Sequence, residues 1–215
     1  MSQALSREVI ATCLALERRG LNQGTSGNVS VRLDADAFLI TPTALPYDKM
    51  KPKDLTRMKL DGTWTGRRAP SSEWRFHLDI LRRRPEVGAV IHTHSGYATT
   101  LACLRRDIPP FHYLVALFGG GDIRCSRYAT CGTQALSDAV LKALEGRSAA
   151  LMGSHGLIVV GPTLERALAL TTEAETLAMM YWRALQVAEP VRLSKAELAR
   201  VREKVAAYGA GSRKG

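Results

Sequence analysis

Short apolar segments joined by tight turns occupy the middle of the chain, and this pattern restricts the possible fold more than any other feature. The stretch MKLDGTWTG contains Asp61-Gly62 between two strand-like runs, which is a strong signal for a β-hairpin. Other strand-like runs are NVSVRL, AFLITPT, GAVIHTH, CSRY, AALMGSH and GLIVVG. Because several of these runs follow one another through turns rather than alternating strictly with helices, they predict a mostly antiparallel central sheet.

Helical patterns flank and interrupt the strand region. The first segment, MSQALSREVIATCLALERRG, has apolar residues at helical spacing. Further helices are predicted over 71–84, 96–105, 132–146, 164–187 and 194–207, while FHYLVALFGGG remains ambiguous. The helix over 71–84 is expected to open on Ser71 and Ser72 and to stop before Pro85. Together these patterns predict a single α/β domain over residues 1–209, with its sheet flanked by helices, and a disordered tail over 210–215.

Composition and charge narrow the class of protein. The chain has 215 residues, of which 46% are hydrophobic and 23% charged, as in an ordinary globular domain. No apolar run approaches the length of a membrane span, the first residues lack a signal-peptide layout, and the four cysteines form no C-x-x-C pair. We therefore expect a cytoplasmic protein that does not associate with membranes.

The basic residues are numerous but scattered. The formal net charge is +10, and no recognition helix, zinc finger or aromatic-interleaved basic stripe accompanies it. Solvated faces therefore explain most of the charge, and no nucleic-acid partner is expected. The same positive field would favour a small anionic substrate, such as a phosphorylated compound.

Two histidines one residue apart end an apolar run in AVIHTHSGY. Alternate side chains of a strand lie on the same face, so His92 and His94 can converge on one point. This arrangement suits zinc or a similar divalent ion, although H-x-H alone is a weak signal. A third histidine, His155, lies at a glycine-flanked break between two apolar runs, where a solvent-exposed turn histidine is the alternative. Three imidazoles would leave one open position on a tetrahedral ion, as in a catalytic site.

A carboxylate and several small polar residues complete the candidate site. Glu73 lies in the first turn of a predicted helix, where it could join the metal or simply complement the helix dipole. His77 and His112 are expected either to support the structure or to hold a metal ligand in place, rather than to bind metal themselves. Glycine-rich and hydroxyl-rich turns form anion-binding nests, and those of this chain are GTSGNVS, TPT and the serine pair 71–72. Taken together, these features predict a pocket for a phosphorylated, metal-chelating small molecule.

These motifs resemble the class II aldolase/adducin family, most closely its L-fuculose-1-phosphate aldolase branch. The resemblance covers nearly the whole chain and is carried by GLNQGTSGNVSVR, ITPT, PSSEWRFHLDIL, AVIHTHS, IPPFHY, YATCGT, SHGLIVVG and AAYG. It implies an α/β fold, one Zn²⁺ per subunit with Co²⁺ or Mn²⁺ as substitutes, and a C4 homotetramer with active sites between subunits. The implied reaction is cleavage of a ketose 1-phosphate to dihydroxyacetone phosphate and an aldehyde.

The same resemblance assigns roles to individual residues. His92, His94 and His155 match the zinc ligands, and Glu73 matches a carboxylate that can bind zinc and act as acid and base. The phosphate-binding positions are matched by Thr25, Asn28, Thr43, Ser71 and Ser72. Tyr113 matches a tyrosine that the adjacent subunit contributes to proton transfer, and Tyr208 resembles one in a C-terminal segment that closes over the site.

Two departures from the family pattern bear on the substrate. Ala44 stands where a glycine often follows the phosphate-binding threonine, and Cys131 stands where a phenylalanine is common. The smaller Cys131 points to a reshaped aldehyde pocket, so a deoxy- or methylthio-pentulose 1-phosphate joins L-fuculose 1-phosphate as an expected substrate.

Other activities occur on the same scaffold. A ribulose-5-phosphate 4-epimerase is the nearest alternative, but its pattern has an aspartate where this chain has Leu117. A sugar-acid phosphate dehydratase or decarboxylase is another. A non-enzymatic adducin-like scaffold is disfavoured, because such heads lack the metal-binding histidines that this chain retains.

Overall fold

A mixed eight-stranded sheet forms the centre of the protein. The computed structural model describes the backbone of residues 2–211 and the side chains of residues 3–205. The strands are β1 (Asn28–Arg32), β2 (Ala37–Ile40), β3 (Thr56–Lys59), β4 (Trp64–Thr65), β5 (Ala89–Thr93), β6 (Arg124–Cys125), β7 (Ala149–Met152) and β8 (Gly156–Gly161). Their order is β4-β3-β2-β1-β5-β8-β7-β6, and every neighbouring pair is antiparallel except β6 and β7. The predicted α/β fold with a mostly antiparallel sheet is confirmed.

Helices cover both faces of this sheet. They are α1 (Ser2–Arg18), α2 (Trp74–Arg83), α3 (Gly96–Cys103), α4 (Gln134–Ala143), α5 (Leu164–Leu185) and α6 (Lys195–Gly211). Helices α2 and α4 pack on one face, where Phe76 and Val140 meet Val90 of β5. Helices α1, α3 and α5 pack on the other face, where residues of β5 such as Ile91 are buried. The central strands are buried on both faces, which explains why their sequences are nearly continuous apolar runs.

The alternation of β5 decides which helix layer faces its histidine. Ala89 and Ile91 lie in the cluster with α1, whereas Val90 lies in the cluster with α2. His92 shares the face of Val90 because side chains of a strand alternate. It therefore points towards α2, whose N-terminal end carries Glu73.

Several boundaries differ from the sequence-based expectations. Helix α2 begins at Trp74, so Glu73 is its N-cap and the expected opening on Ser71 and Ser72 is wrong. The ambiguous segment forms a 3₁₀ helix over Tyr113–Phe118. Helix α6 runs through Gly211, into the segment expected to be a disordered tail, while residues 212–215 lie outside the described part. Within the described residues, no helix has both the length and the apolar character needed to cross a membrane.

Candidate metal centre

Four side chains from three regions of the chain converge at one end of the central strands. Glu73 precedes α2, His92 ends β5 with only Thr93 after it, His94 lies just past that strand, and His155 lies in the turn between β7 and β8. Each offers one ligand atom, and these atoms all lie within 4.8 Å of one another. The predicted meeting of the three histidines and Glu73 is therefore present in the structure.

The nitrogen and oxygen atoms at the centre are closely spaced. Nε2 of His92 lies 3.1 Å from Nε2 of His94 and 3.3 Å from Oε2 of Glu73. Nε2 of His155 lies 3.1 Å from Oε1 of Glu73. Ligands at about 2.1 Å from one tetrahedral ion are about 3.4 Å apart, so this spacing suits a single small cation.

Hydrogen bonding orients His92 for this purpose. Nδ1–H of His92 donates to the carbonyl oxygen of Leu157 at 2.9 Å, and His92 itself is fully buried. The proton on Nδ1 leaves the lone pair of Nε2 directed into the centre, which is how metal-binding histidines are usually held.

The residues fit a divalent transition metal. Glu73 is only 9% exposed, and its buried Oε1 forms no hydrogen bond with the described residues even though Nε2 of His155 lies 3.1 Å from it. A buried carboxylate oxygen in that situation needs a cation or a donor. Three imidazoles and one carboxylate are a donor set that zinc accepts, and they distinguish it from the oxygen-rich sites of Mg²⁺ and Ca²⁺.

The electrostatics keep the ligands in the required protonation states. Burial, reinforced by His92 and His155, lowers the pKa of His94 to about 4. Burial alone would raise the pKa of Glu73, but the adjacent His155 and His92 outweigh it and hold that pKa well below its usual range. At neutral pH His94 is therefore a neutral ligand and Glu73 is an anion.

Asn22 ties His94 to the glycine-rich turn. Its Oδ1 accepts a hydrogen bond from the backbone N–H of His94 at 3.0 Å, and its Nδ2 donates to the Tyr47 hydroxyl at 3.4 Å. That hydroxyl donates in turn to the carbonyl oxygen of Ser26. Gly27 has a φ of 74°, and a Cβ there would lie 2.4 Å from Nδ2 of Asn22 and 2.5 Å from the carbonyl oxygen of His92. The turn can thus approach the metal centre only with glycine at this position.

Glu175 of α5 holds the segment that follows His94. Its carboxylate accepts hydrogen bonds from the Ser95 hydroxyl at 2.7 Å and from the backbone N–H groups of Tyr97 and Ala98 at 2.7 and 2.9 Å. The two backbone N–H groups lie in the first turn of α3, where the helix itself offers them no acceptor, and an anion there also complements the helix dipole. Neither Asn22 nor Glu175 is evident as a functional residue from the sequence, since each acts on a segment far along the chain.

Three of the predicted phosphate-binding residues, Thr43, Ser71 and Ser72, lie in turns near the start of α2, and Thr25 lies in the turn before β1. Thr43 N–H donates to the carbonyl oxygen of Ala69 at 3.2 Å, and Ser71 N–H donates to that of Thr41 at 3.0 Å, so two of the turns run side by side. Thr25, Thr43 and Ser72 are exposed, whereas Ser71 is buried. Exposed hydroxyls on adjoining turns can donate to an anion, and their role in binding phosphate stays a prediction.

The fifth predicted phosphate-binding residue and the two positions that depart from the family pattern have different surroundings. Asn28 is buried and donates through Nδ2 to Oε2 of Glu73 at 3.0 Å, so its amide is engaged at the metal centre. Ala44 has a φ of 52°, a conformation that glycine adopts more readily. Cys131 is exposed. It precedes Gly132, where an added Cβ would lie 3.1 Å from the carbonyl oxygen of Ser72, so this segment passes close to the turn before α2.

The two predicted tyrosines are not part of the convergent group. Tyr113 begins the 3₁₀ helix and is 50% exposed. Tyr208 belongs to α6 by its backbone, but its side chain lies outside the described residues. His77 and His112 are not members of the metal-ligating group either, and Nδ1 of His112 accepts a hydrogen bond from Leu114 N–H.

Comparison with known proteins places this architecture in a family. The model of the Class II Aldolase and Adducin N-terminal domain matches residues 7–182. The chain is 51% identical over 206 residues to the 5-methylthioribulose-1-phosphate/5-deoxyribulose-1-phosphate aldolase of Rhodospirillum rubrum, covering 96% of this chain and 93% of the relative. It is 46% identical over 206 residues to the L-fuculose phosphate aldolase of Escherichia coli, covering 95% of both.

A solved structure of an L-fuculose 1-phosphate aldolase superposes with a TM-score of 0.92 at 36% identity, covering 96% of this chain and 98% of that one. The chain belongs to the class II aldolase and adducin family. With aldolases as its relatives over nearly its whole length, it is an enzyme of the class II aldolase type, a carbon–carbon lyase, as the sequence predicted.

The stability of the metal-free protein is expected to fall as the pH drops below about 6.5. Burial, followed by the nearby His92, lowers the pKa of His77 to about 3, whereas an unfolded histidine titrates near 6.5. Between these values the unfolded state binds more protons than the folded state. The contribution of His77 to the free energy of unfolding is therefore fully present above pH 6.5 and is lost towards pH 3. Urea unfolding of chelator-treated protein at several pH values measures this. The slope should be shallower in His77→Gln, and an equal slope in both proteins would contradict the prediction.

Proposed function

We propose that the protein is a zinc-dependent aldolase that reversibly cleaves a ketose 1-phosphate to dihydroxyacetone phosphate and an aldehyde, with Co²⁺ or Mn²⁺ able to replace Zn²⁺. The observation that carries the proposal is the convergence of three imidazoles and one carboxylate within 4.8 Å. The names of the relatives, which act on fuculose phosphate and methylthioribulose 1-phosphate, support the substrate class. Inorganic metal content of the purified protein, measured by mass spectrometry, would identify the ion.

The chemistry divides among the residues of the chain. Breaking the C3–C4 bond of a 2-ketose leaves an electron pair at C3, and a bound divalent cation would supply the positive charge that stabilises it. Because Glu73 is an anion at neutral pH, its carboxylate, which lies among the metal-binding imidazoles, first takes up a proton from solvent and then delivers it to C3. We assign removal of the C4 hydroxyl proton to Tyr113 and closure over the site to Tyr208. The phosphate, remote from the reacting carbons, is oriented by the hydroxyls of Thr25, Thr43, Ser71 and Ser72 and by the second N–H of the Asn28 amide, the one that does not donate to Glu73.

The quaternary structure belongs to the same proposal. Tyr113 is half exposed on one subunit, which suits a residue that contributes to the active site of a neighbour. We propose a homotetramer with C4 symmetry and active sites at the interfaces, located in the cytoplasm. Light scattering of the purified protein tests the assembly, and a monomer that retains full activity would contradict it.

The proposed reaction is tested with a panel of ketose 1-phosphates. L-fuculose 1-phosphate, 5-deoxyribulose 1-phosphate and 5-methylthioribulose 1-phosphate are each incubated with enzyme, and dihydroxyacetone phosphate is detected with a coupled reductase. We expect product from at least one substrate, loss of activity with a chelator, and recovery with Zn²⁺, Co²⁺ or Mn²⁺. No dihydroxyacetone phosphate from the metal-loaded enzyme would contradict the proposal, and epimerisation at C4 of ribulose 5-phosphate supplied in a separate assay would indicate the epimerase.

Replacing Ser72 by alanine is expected to lower kcat/KM for the phosphorylated substrate about tenfold. The hydroxyl of Ser72 is exposed beside the start of α2, and a hydrogen bond to a charged group is worth about 1.5–3 kcal/mol. The measurement is steady-state kinetics, together with inhibition by inorganic phosphate, which should weaken in parallel. Thr65→Ala is the matched control, since Thr65 is an exposed hydroxyl residue of the edge strand β4. Equal kinetics in both variants would remove Ser72 from the phosphate site.

A further inference from the structure

Four polar side chains form a buried hydrogen-bond network behind the metal centre, namely Ser30, His77, Asn28 and Glu73. Asn28 and Ser30 are two residues apart in β1, so they lie on the same face of the sheet. Glu73 and His77 are four residues apart at the start of α2, so they lie on the same side of that helix. The exposed fractions of Ser30 and His77 are 0%, and that of Asn28 is 3%. Polar groups at this depth are costly unless they bond to one another.

The hydrogen bonds of this network all run in one direction, from Ser30 to Glu73. Nδ2 of Asn28 donates to Oε2 of the anionic Glu73 at 3.0 Å, so Oδ1 of Asn28 must face the other way, as an acceptor. Nε2 of His77 contacts that Oδ1 and therefore carries the proton. Nδ1 of His77 is then an acceptor, and the Ser30 hydroxyl donates to it at 2.7 Å. Every donor in the sequence Ser30, His77, Asn28 thus points towards Glu73.

We propose that His77 is a positioning residue that acts through Asn28 on Glu73. The imidazole N–H determines which way the Asn28 amide faces. A flipped amide would place its partially negative oxygen about 3 Å from the Glu73 carboxylate in a buried site, where neither oxygen can donate a hydrogen bond. By preventing that flip, His77 keeps the Asn28 amide hydrogen-bonded to Oε2, and so holds the Glu73 carboxylate in its orientation towards the metal centre. The sequence alone leaves open whether His77 supports the structure or a metal ligand, and it does not indicate Asn28 as the intermediate.

The same hydrogen-bond network explains why position 77 is a histidine. The side chain must donate to Asn28 and accept from Ser30 at the same time. A neutral histidine does both, and the ring also stacks on Phe76 with centroids 4.8 Å apart. A glutamine could donate through its nitrogen and accept through its oxygen, whereas a leucine of comparable size offers neither group.

The test compares His77→Leu with His77→Gln in protein loaded with Co²⁺. We expect His77→Leu to change the visible absorption of the bound cobalt, because the carboxylate ligand is no longer fixed, and to weaken metal binding or kcat by about 10- to 100-fold. His77→Gln should restore the cobalt spectrum and bring kcat to within about threefold of the wild type. The cobalt spectrum requires no substrate, so it tests this inference even where the proposed reaction fails. An unchanged spectrum and kcat in a folded His77→Leu protein would overturn it.

Two further variants separate positioning from general loss of structure. If His77 acts only through Asn28, the double variant His77→Leu with Asn28→Ala should lose no more activity than Asn28→Ala alone. Fully additive losses would overturn the proposal. Should His77→Leu fail to fold, Ser30→Ala is used in its place, since it removes only the hydroxyl that donates to Nδ1 of His77. A shift of its cobalt spectrum towards that of Asn28→Ala supports the proposal. An unchanged spectrum contradicts it.

Discussion

Replacing Glu73 by glutamine is expected to lower turnover by about 10²- to 10⁴-fold while the protein still binds its metal. The two side chains have nearly the same shape, and the three imidazoles that remain are enough to hold a zinc ion. The amide cannot take up and release a proton as the carboxylate does. The pKa of Glu73 is held low by His155 and His92 against the effect of burial, so the wild-type group is an anion that can accept a proton.

The comparison requires metal content and turnover from the same preparations. Metal is quantified by mass spectrometry, and turnover is measured as release of dihydroxyacetone phosphate. Glu165→Gln is the matched control, since Glu165 is an exposed carboxylate in the first turn of α5 and should tolerate the change. Full turnover in a metal-loaded Glu73→Gln enzyme would exclude Glu73 as the acid and base. Loss of the metal in that variant would instead make Glu73 chiefly a ligand.

The histidine cluster shows how far sequence reasoning reaches. The convergence of His92 and His94 was predicted from strand alternation, yet β5 ends at Thr93 and His94 lies beyond it. The two imidazoles still meet because Asn22 holds the backbone N–H of His94 at 3.0 Å. The prediction was correct for the cluster, but the local reason it used applies only to the first histidine.

Groups that act across long stretches of chain were beyond single-sequence reasoning. Glu175 binds residues 95–98 from a different helix, and His77 reaches Glu73 only through Asn28 in β1. Such contacts depend on how α2, β1 and α5 pack, which local periodicity does not encode. The start of α2 shows the same limit: the pair Ser71–Ser72 has good capping chemistry, but the backbone places Glu73 at the cap.

A second large effect is expected at Gly156, which is the first residue of β8 and is not itself a ligand. A Cβ there would lie 2.4 Å from the carbonyl oxygen of Thr93, 3.0 Å from Cδ2 of His94 and 3.2 Å from Cε1 of His92. The nearest atom belongs to the backbone of β5, so no side-chain rotation can relieve the contact. Gly156→Ala must therefore move β8 away from β5, and with it the two histidines.

We expect Gly156→Ala to bind Zn²⁺ about 10- to 100-fold more weakly, with a parallel loss of turnover at limiting metal. Crowding a packed interior also costs about 1–3 kcal/mol, so the free energy of unfolding in urea should fall by that amount even in the metal-free protein. Competition with a chromophoric chelator measures the affinity. Gly96→Ala is the matched control, because the nearest atom to its Cβ is Oε1 of Glu175 at 3.9 Å and its backbone is not in the left-handed region. Since both substitutions add one methyl group but only that at Gly156 would meet the two histidines, equal affinities in the two variants would show that the close approach of β8 to β5 does not position the metal ligands.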